Sequence, residues 1–345
     1  MNHSGAEPVT VIVLNYNGLR SGYLQECLRS VYATEYPYFE VVLVDNASKD
    51  GSLEYVTKSF PQTRIVANST NLGYAEGNNI AMRKARGQYI ALLNYDTKVS
   101  SNWLENSIKV LRSQHAVAVV ACKLLWSDDP RKIDGAGGVA DVYGFPNERG
   151  RVFGSLETDR GQYDEVSEVF YASGSAMIIS KDALHEVGFF DPRFFMYFED
   201  MDLCWRLRLR GYKVLFVPKS IVYHRRGLRV LLGKPLNYGM LYHYHKNHLA
   251  TLVKNCSYSS LARMLPFFVA VKILITFRHL MKRELIGAKA VLSGLFWNLK
   301  ELRYVLSQRW IVQRIIRRVR EKDIRRLMKS RSFAVDYVRH RQVRV

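Results

Sequence analysis

The chain has 345 residues, 48% hydrophobic and 12% aromatic, which excludes a disordered or low-complexity protein and allows a substantial core. Cys27, Cys122, Cys204 and Cys256 lie far apart with no C-x-x-C pair, which argues against zinc and a disulfide framework and fits a reducing compartment. The net charge of +20 sits in the last third: residues 1–224 carry 24 Lys and Arg against 26 Asp and Glu, and residues 225–345 carry 27 against 5. A near-neutral body joined to a basic tail predicts a polyanionic partner, either a membrane surface or a nucleic acid.

Residues 1–8 contain no basic region followed by an apolar core, so no secretory signal is expected. Thr10–Asn15 is a β-branched apolar run, a first buried strand, followed by the turn Asn15-Tyr16-Asn17-Gly18 and a helix over Tyr23–Ala33. Glu40–Asp45 is a second strand, Ser52–Ser59 a helix, Thr63–Asn68 a third strand and Tyr74–Ala85 a helix. Tyr89–Leu93 is an apolar strand broken by the polar triplet Asn94-Tyr95-Asp96. Strands alternating with helices of about ten residues imply βαβ units and a parallel sheet.

Trp103–Gln114 reads as a helix and Val117–Lys123 as a strand. Residues 127–165, rich in Gly, Asp, Arg and Pro, read as loops with a hairpin. Val169–Ser180 is a strand interrupted at Ser173-Gly174-Ser175, Asp182–Val187 and Glu199–Arg210 are helices, and Lys213–Val217 and Ile221–Tyr223 are short strands. From Leu236 onward the chain reads as helix.

In a parallel sheet, ligands gather beyond the carboxyl ends of the strands. Asn15-Tyr16-Asn17, Asp45-Asn46 and Asn94-Tyr95-Asp96 each follow a strand, so one sheet edge collects them. Amides and a carboxylate there can bond a base or a ribose, although Asn and Asp are also ordinary turn residues. Asn71–Asn79 opens a helix with two glycines, which allows close approach of an anion, but no G-x-G-x-x-G follows the first strand. Glu199, Asp200 and Asp202 start a helix among aromatic residues; the helix dipole favours acids there, and apolar rings can raise a pKa into the range of a general base. His224 ends a strand and could be structural or a metal ligand. His243, His245 and His248 do not share one helix face and are expected to form a polar helix surface.

Together these motifs resemble glycosyltransferase family 2, in its rhamnosyltransferase-like branch. The resemblance runs from Val9 to about Phe216–His224. It rests on Val11–Gly18, Val41–Ser52, Asn71–Asn79, Tyr89–Thr97, Gly174–Ala176, Gly188–Asp191, Phe198–Arg206 and Tyr223-His224, in that order. It implies a GT-A fold, an α/β nucleotide-diphospho-sugar transferase sheet, in residues 1–230, followed by a basic helical region in residues 231–345. It also implies an inverting transfer of a sugar, rhamnose in that branch, from a nucleotide-sugar donor to a hydroxyl of a glycan or lipid-linked acceptor in cell-surface polysaccharide synthesis. Asn15, Tyr16, Asn17 and Asp45 would hold the nucleoside, and Asn71, Gly77 and Asn78 would lie near the ribose and diphosphate. Asn94-Tyr95-Asp96 matches the D-x-D motif with Asn in the first place. Asp96 and His224 would hold a divalent cation, Mg²⁺ or Mn²⁺; Asp200 would be the general base; Glu199 and Trp205 would form the acceptor pocket. A sugar nucleotidyltransferase is an alternative, but it would want a basic glycine-rich loop where Asn15–Leu19 has no lysine. A non-enzymatic nucleotide-binding scaffold is another, and it leaves Glu199-Asp200 without a purpose.

In the tail, the apolar runs Met264–Phe277 and Leu285–Trp297 each fall short of the ~20 residues that span a bilayer. Glu301–Lys329 alternates apolar and basic residues at helical spacing and is expected to be one basic amphipathic helix. Peripheral attachment to the anionic inner face of the cell membrane is the expectation, with oligomer formation through these helices a further possibility. No nucleic acid is expected, because no binding module accompanies the charge.

Overall fold

All seven residues of β1 (Val9–Asn15) are buried. A strand with both faces apolar belongs inside a sheet covered on both sides. In the computed structural model, which describes residues 6–113, 115–152, 155–225, 237–330 and 332–334, β1 is such a strand. It pairs in parallel with β2 (Phe39–Asp45) and β4 (Tyr89–Asn94), and β2 pairs in parallel with β3 (Arg64–Ala67). β13 (Ala176–Ser180) runs antiparallel between β4 and β6 (Val117–Trp126). β14 (Lys213–His224) lies parallel to β6, while the short strands β5 (Thr97–Val99), β7 (Ile133–Gly135) and β12 (Ser167–Glu168) add antiparallel pairs. The sheet order is β12-β14-β6-β13-β4-β1-β2-β3.

One face of the sheet is covered by α1 (Tyr23–Tyr32) and α4 (Trp103–Ser113), which bury Leu24, Leu28, Trp103 and Ile108 against Val11 and Val13. α2 (Ser52–Ser59) adds Val56 to the same cluster. The opposite face takes α3 (Gly73–Met82), α5 (Lys181–Val187) and α6 (Glu199–Arg210), together with helices from the basic tail. These are α7 (Tyr238–Asn255), α8 (Tyr258–Met281), α9 (Leu285–Lys300), α10 (Leu302–Trp310) and α11 (Glu321–Arg325). Leu252, Phe268, Val291 and Ile316 belong to the same hydrophobic cluster as Ile12 and Leu92, so the tail shares the core of the sheet.

Several elements differ from the sequence reading. Residues 127–165 form two hairpins, β8 (Gly138–Ala140) with β9 (Pro146–Glu148) and β10 (Arg151–Val152) with β11 (Ser155–Leu156). The two short strands before His224 are one strand, β14, whose register shifts between Val217 and Ile221. α8 is a 24-residue helix, long and apolar enough to cross a membrane by length and composition, where the apolar run alone is shorter. Glu301–Lys329 is not one helix. α10 passes into a π-helical turn over Ile311–Ile316, and the chain becomes extended at Arg317. Tertiary bonds win there: Arg318 and Val319 N–H groups donate to Leu209 O at the end of α6, and Gln313 Nε2 donates to Lys254 O and Asn255 O. Val305, Val312 and Ile316 are buried against the body.

Candidate active site

The parallel register sets Asn15 beside Asp45 and Leu14 beside Asn94, so the three strand ends share one edge. The loops beyond β1 and β2 are stitched together there. Asn15 Nδ2 donates to Asp45 Oδ2 at 2.8 Å and Ser48 Oγ at 3.1 Å, while Ser48 N donates to Asp45 Oδ1 at 2.8 Å. Asn17, at φ 54°, accepts from Lys49 N at 2.8 Å. Asn15 and Asp45 are wholly buried, and Tyr16, 46% exposed, presents its ring at the edge.

At α3 the two glycines differ. Asn71 Oδ1 accepts from Gly73 N, fixing the start of the helix. A Cβ on Gly77 would lie 2.9 Å from Leu14 Cδ1 and 3.0 Å from Asn46 Nδ2. Gly77 therefore lets α3 pack closely on the sheet, and the expected open approach for a diphosphate at this residue is not found. Asn78 is buried beside it, donating to Tyr74 O.

Asp96 and His224 come together although 128 positions separate them, because β5 pairs with the end of β14 (Thr97 opposite His224). His224 Nε2 lies 3.7 Å from Asp96 Oδ1. The other ring nitrogen, Nδ1, is 2.7 Å from Asp134 Oδ2. An ionised carboxylate only accepts, so Nδ1 carries the hydrogen and Nε2 faces Asp96. Arg151 Nη2, 3.1 Å from Asp134 Oδ1, holds that carboxylate in turn. Burial raises the Asp96 carboxyl above its ordinary value, against the pull of His224. Burial pulls His224 down, but Asp96 and Asp134 carry it net upward. Asp96 Oδ1 is buried without a hydrogen-bond partner. A carboxylate oxygen left unpaired beside an imidazole oriented by a second carboxylate suits a divalent cation. Among the described residues no group of three or more His, Cys, Asp or Glu side chains could hold a metal, so a cation here needs oxygens from a ligand as well. Asp134 was not singled out in the sequence; it sits on β7 and reaches His224 on β14 only through the side chains, a contact that no local spacing shows.

The segment Ser173-Gly174-Ser175 joins this edge to the acids. Ser175 O accepts from Asn94 N at 3.1 Å, and Gly174 N donates to Asp200 Oδ2 at 2.9 Å. Asp200 Oδ1 accepts from Met201 N at 2.7 Å. Burial raises both acids, and the Asp200 charge raises Glu199 further. Glu199 Oε2 is buried with no partner, whereas Asp200 receives two N–H bonds. Glu199 is therefore the neutral member and Asp200 the carboxylate. Asp202, the third acid, is structural: it is buried and bonded to Arg206, Lys254 and Asn255.

Trp205 is only 1% exposed and packs edge-on against Phe170 at 5.1 Å between ring centres. It belongs to the core beneath α6, which corrects its placement in an acceptor pocket. Glu148 is a further buried acid, pushed up to about 8 by burial first, with Asp200 and Asp134 among the charges around it.

The loop before Glu199 holds three non-glycine residues at positive φ: Phe195 at 66°, Tyr197 at 69° and Phe198 at 69°. Such conformations persist only when neighbours fix them. α3 supplies one clamp, with Tyr74 and Ala75 N–H groups donating to Phe195 O. α7 supplies the other, where Asn247 Nδ2 lies 2.8–2.9 Å from Phe194 O, Met196 O and Tyr197 O. Phe198 stacks on His248 at 4.6 Å and Phe195 on His243 at 4.9 Å. His245 and His248 are buried, which corrects the expected polar helix surface. Lys272 Nζ lies 2.9 Å from His245 Nδ1 and 3.4 Å from His248 Nδ1, above the rings of Phe145, Tyr244 and Phe268.

A separate cavity of about 740 Å³ is lined by Ala6, Tyr36, Pro37, Glu105 and Arg112. It opens near the amino ends of β1 and β2, the edge away from Asp96 and Asp200.

Residues 10–188, more than half of the chain, match the family profile described as glycosyl transferase family 2. The chain belongs to that family. It is similar to the N-acetylglucosaminyl-diphospho-decaprenol L-rhamnosyltransferase of Mycobacterium tuberculosis, with 28% identity over 216 residues, 56% of this chain and 68% of that protein. It is also similar to the low-salt glycan biosynthesis hexosyltransferase Agl10 of Haloferax volcanii, with 23% identity, 59% of this chain and 62% of that protein covered. Against three of the curated relatives the chain spans 22%, 62% and 15% of their length. Among solved structures, Staphylococcus aureus TarS 1–349 in complex with UDP-GlcNAc superposes with a TM-score of 0.56 at 17% identity, covering 94% of this chain and 93% of that one. The mannosyltransferase PcManGT from Pyrobaculum calidifontis, in complex with GDP-Man and Mn²⁺, gives 0.53 at 16% identity, covering 96% and 86%. The fold is GT-A, with the tail helices packed on one face of its sheet.

Proposed function

We propose that the chain is an inverting glycosyltransferase that moves a sugar from a nucleoside-diphosphate donor to an acceptor hydroxyl in cell-surface polysaccharide synthesis. The observation that carries the reading is the Ser173-Gly174-Ser175 bridge, which ties the Asp200 carboxylate to the strand end bearing Asn94-Tyr95-Asp96. That arrangement sets a base beside the edge where a donor's diphosphate would lie.

Asp200 takes the proton of the acceptor hydroxyl as that oxygen attacks the anomeric carbon, and the bond to the diphosphate breaks on the opposite side. General-base help of this kind is worth roughly 10²–10⁴-fold. The raised pKa of Asp200 suits the task, because a base works best near the operating pH. Neutral Glu199 adds no second charge beside it. Tyr16 and the stitched Asn15, Asn17, Asp45 and Ser48 loops form the nucleoside end, with Asn71 and Asn78 toward the ribose and diphosphate. Asp96 and His224 would hold Mg²⁺ or Mn²⁺, with Asp134 fixing the imidazole; a bound cation supplies charge neutralisation for the departing diphosphate.

Similarity to a rhamnosyltransferase of a lipid-linked substrate supports rhamnose as the sugar and a lipid-linked glycan as the acceptor. In this reading residues 1–230 carry the chemistry and residues 231–345 form a helical extension on the cytoplasmic side of the membrane; the boundary between them lies outside the described residues. Thermal unfolding with a panel of nucleotide sugars, with and without Mn²⁺, tests the reading, since a ligand of the folded state raises the midpoint. A rise with one nucleoside-diphosphate sugar, larger with Mn²⁺, is expected. No rise with any of them contradicts it.

A further inference from the structure

Helices α8, α9 and α10 each bury one face and leave the other bare. On α8, Met264, Phe268, Lys272 and Ile275 face inward, Phe268 meeting Phe145 at 6.0 Å between ring centres. The exposed face from Pro266 to Met281 carries Val269, Ile273, Leu274, Phe277 and Leu280, with no charged side chain among its fully exposed residues. α9 follows after a three-residue turn and exposes Leu285, Leu292, Phe296 and Leu299. Most of the large apolar side chains exposed among the described residues fall between Val269 and Ile315. Monomers rarely leave so long an apolar surface bare without a partner.

We propose that this face of the α8–α9 hairpin docks on the surface of an anionic lipid bilayer, lying in the plane of the interface. Charge selects the occupant. Arg263, Lys282, Arg283, Lys289, Lys300, Arg303 and Arg314 are exposed along the same elements, and Glu284 and Glu301 are the acids between Tyr258 and Ile316. A basic rim around an apolar face suits anionic headgroups, whereas a second copy would bring like charges together. The hairpin lies on the membrane and does not cross it. The inward face of α8 packs on the core of the sheet and buries Lys272 among histidines, so lipid can reach only one side of that helix.

The surface also reaches toward the acids. Tyr304 Oη in α10 donates to Asp191 Oδ1 at 2.7 Å, and Arg193 pairs with Glu301 at 2.6 Å and lies over the Tyr304 ring. Residues 191–198 run directly into Glu199-Asp200. Membrane contact at α10 is thus two steps from the catalytic loop. This deepens the proposed use of a lipid-linked acceptor and rests on that reading for its purpose, but its test does not depend on activity.

The test is flotation of the full chain with vesicles of phosphatidylcholine alone and of phosphatidylcholine with phosphatidylglycerol. The chain is expected to float with the anionic vesicles at least tenfold more than with neutral ones. The double substitution Phe277→Glu with Leu280→Glu is expected to lower that binding roughly tenfold or more, and Lys282→Glu with Arg283→Glu to remove the preference for anionic lipid. Both pairs are exposed, and unchanged circular dichroism and an unchanged thermal shift with the donor show that each variant is folded. No flotation of the parent chain, or equal flotation of the parent and the Phe277/Leu280 variant, overturns the proposal. So does a concentration-dependent dimer of the parent that this variant abolishes, because that makes a second copy the occupant. Flotation without any thermal shift from nucleotide sugars leaves the docking face standing and the glycosyl-transfer reading refuted.

Discussion

Lys272 gives the sharpest quantitative expectation. It is 1% exposed, no carboxylate contacts it among the described residues, and burial pulls its ammonium down to about 7. Its neighbours accept from it: His248 Nε2 donates to Gly144 O at 3.0 Å, which turns Nδ1 toward Lys272 as an acceptor. In the unfolded chain the group titrates near its ordinary 10.5. Between pH 7 and 10.5 the unfolded chain therefore holds the extra proton, and stability rises with pH. The full difference corresponds to about 5 kcal/mol, of which roughly 4 kcal/mol falls between pH 7 and 10. Lys272→Met keeps the volume and removes the titration, but leaves the two histidine nitrogens without a donor, at a cost of about 1–3 kcal/mol each. At pH 7 the variant is expected to be close to the parent or somewhat more stable. The clean readout is the difference between the two proteins, since groups outside the cluster of Lys272, His245 and His248 cancel. In urea unfolding at pH 7 and pH 10, the parent should gain about 3–4 kcal/mol relative to the variant on going to the higher pH. A relative gain below about 1 kcal/mol would refute the picture of a lysine buried without a counter-charge.

Asn247→Ala removes the α7 clamp on the loop before the acids and takes two N–H donors from its carbonyls, leaving Phe194 O with Met196 N but Met196 O and Tyr197 O without the amide. Urea unfolding should show a loss of about 2–4 kcal/mol, and transfer should fall at least tenfold while the thermal shift with the donor persists. Asp134→Asn frees the His224 ring from its fixed tautomer. The Mn²⁺ concentration that gives half the donor-dependent thermal shift should rise about 10–100-fold; an unchanged value contradicts the role given to His224.

The strand-end edge was legible because its residues follow long β-branched runs. A run such as Val9–Leu14 suits a strand buried on both faces, and parallel pairing then brings Asn15 level with Asp45 and sets Asn94 one position back, beside Leu14. The partnership of Asp96 with His224 came from the family resemblance, and its geometry depends on β5 turning back against β14. Trp205 misled because α6 is buried nearly all round. Arg206 and Arg208 look like a solvent face in sequence, yet they are buried on the carbonyls of Val187, Gly188, Val169 and Phe170. The same holds for His245, Asn247 and His248. Their partners Lys272, Gly144 and the Phe194–Tyr197 carbonyls lie far away in the chain, and no local spacing reveals them. The tail beyond Glu301 broke its helical pattern for the same reason, since carbonyls at the ends of α6 and α7 took its donors.

The central claim is that Asp200 is the base of a glycosyl transfer, and one comparison tests it most directly. Asp200→Asn keeps the side-chain shape and an oxygen that can accept from Gly174 N, but it cannot take a proton. With the donor and cation identified by thermal shift, sugar transfer to acceptor is measured for both proteins. The account predicts an unchanged donor shift with transfer lowered roughly 10²–10⁴-fold. Transfer by Asp200→Asn at close to the parent rate would contradict it.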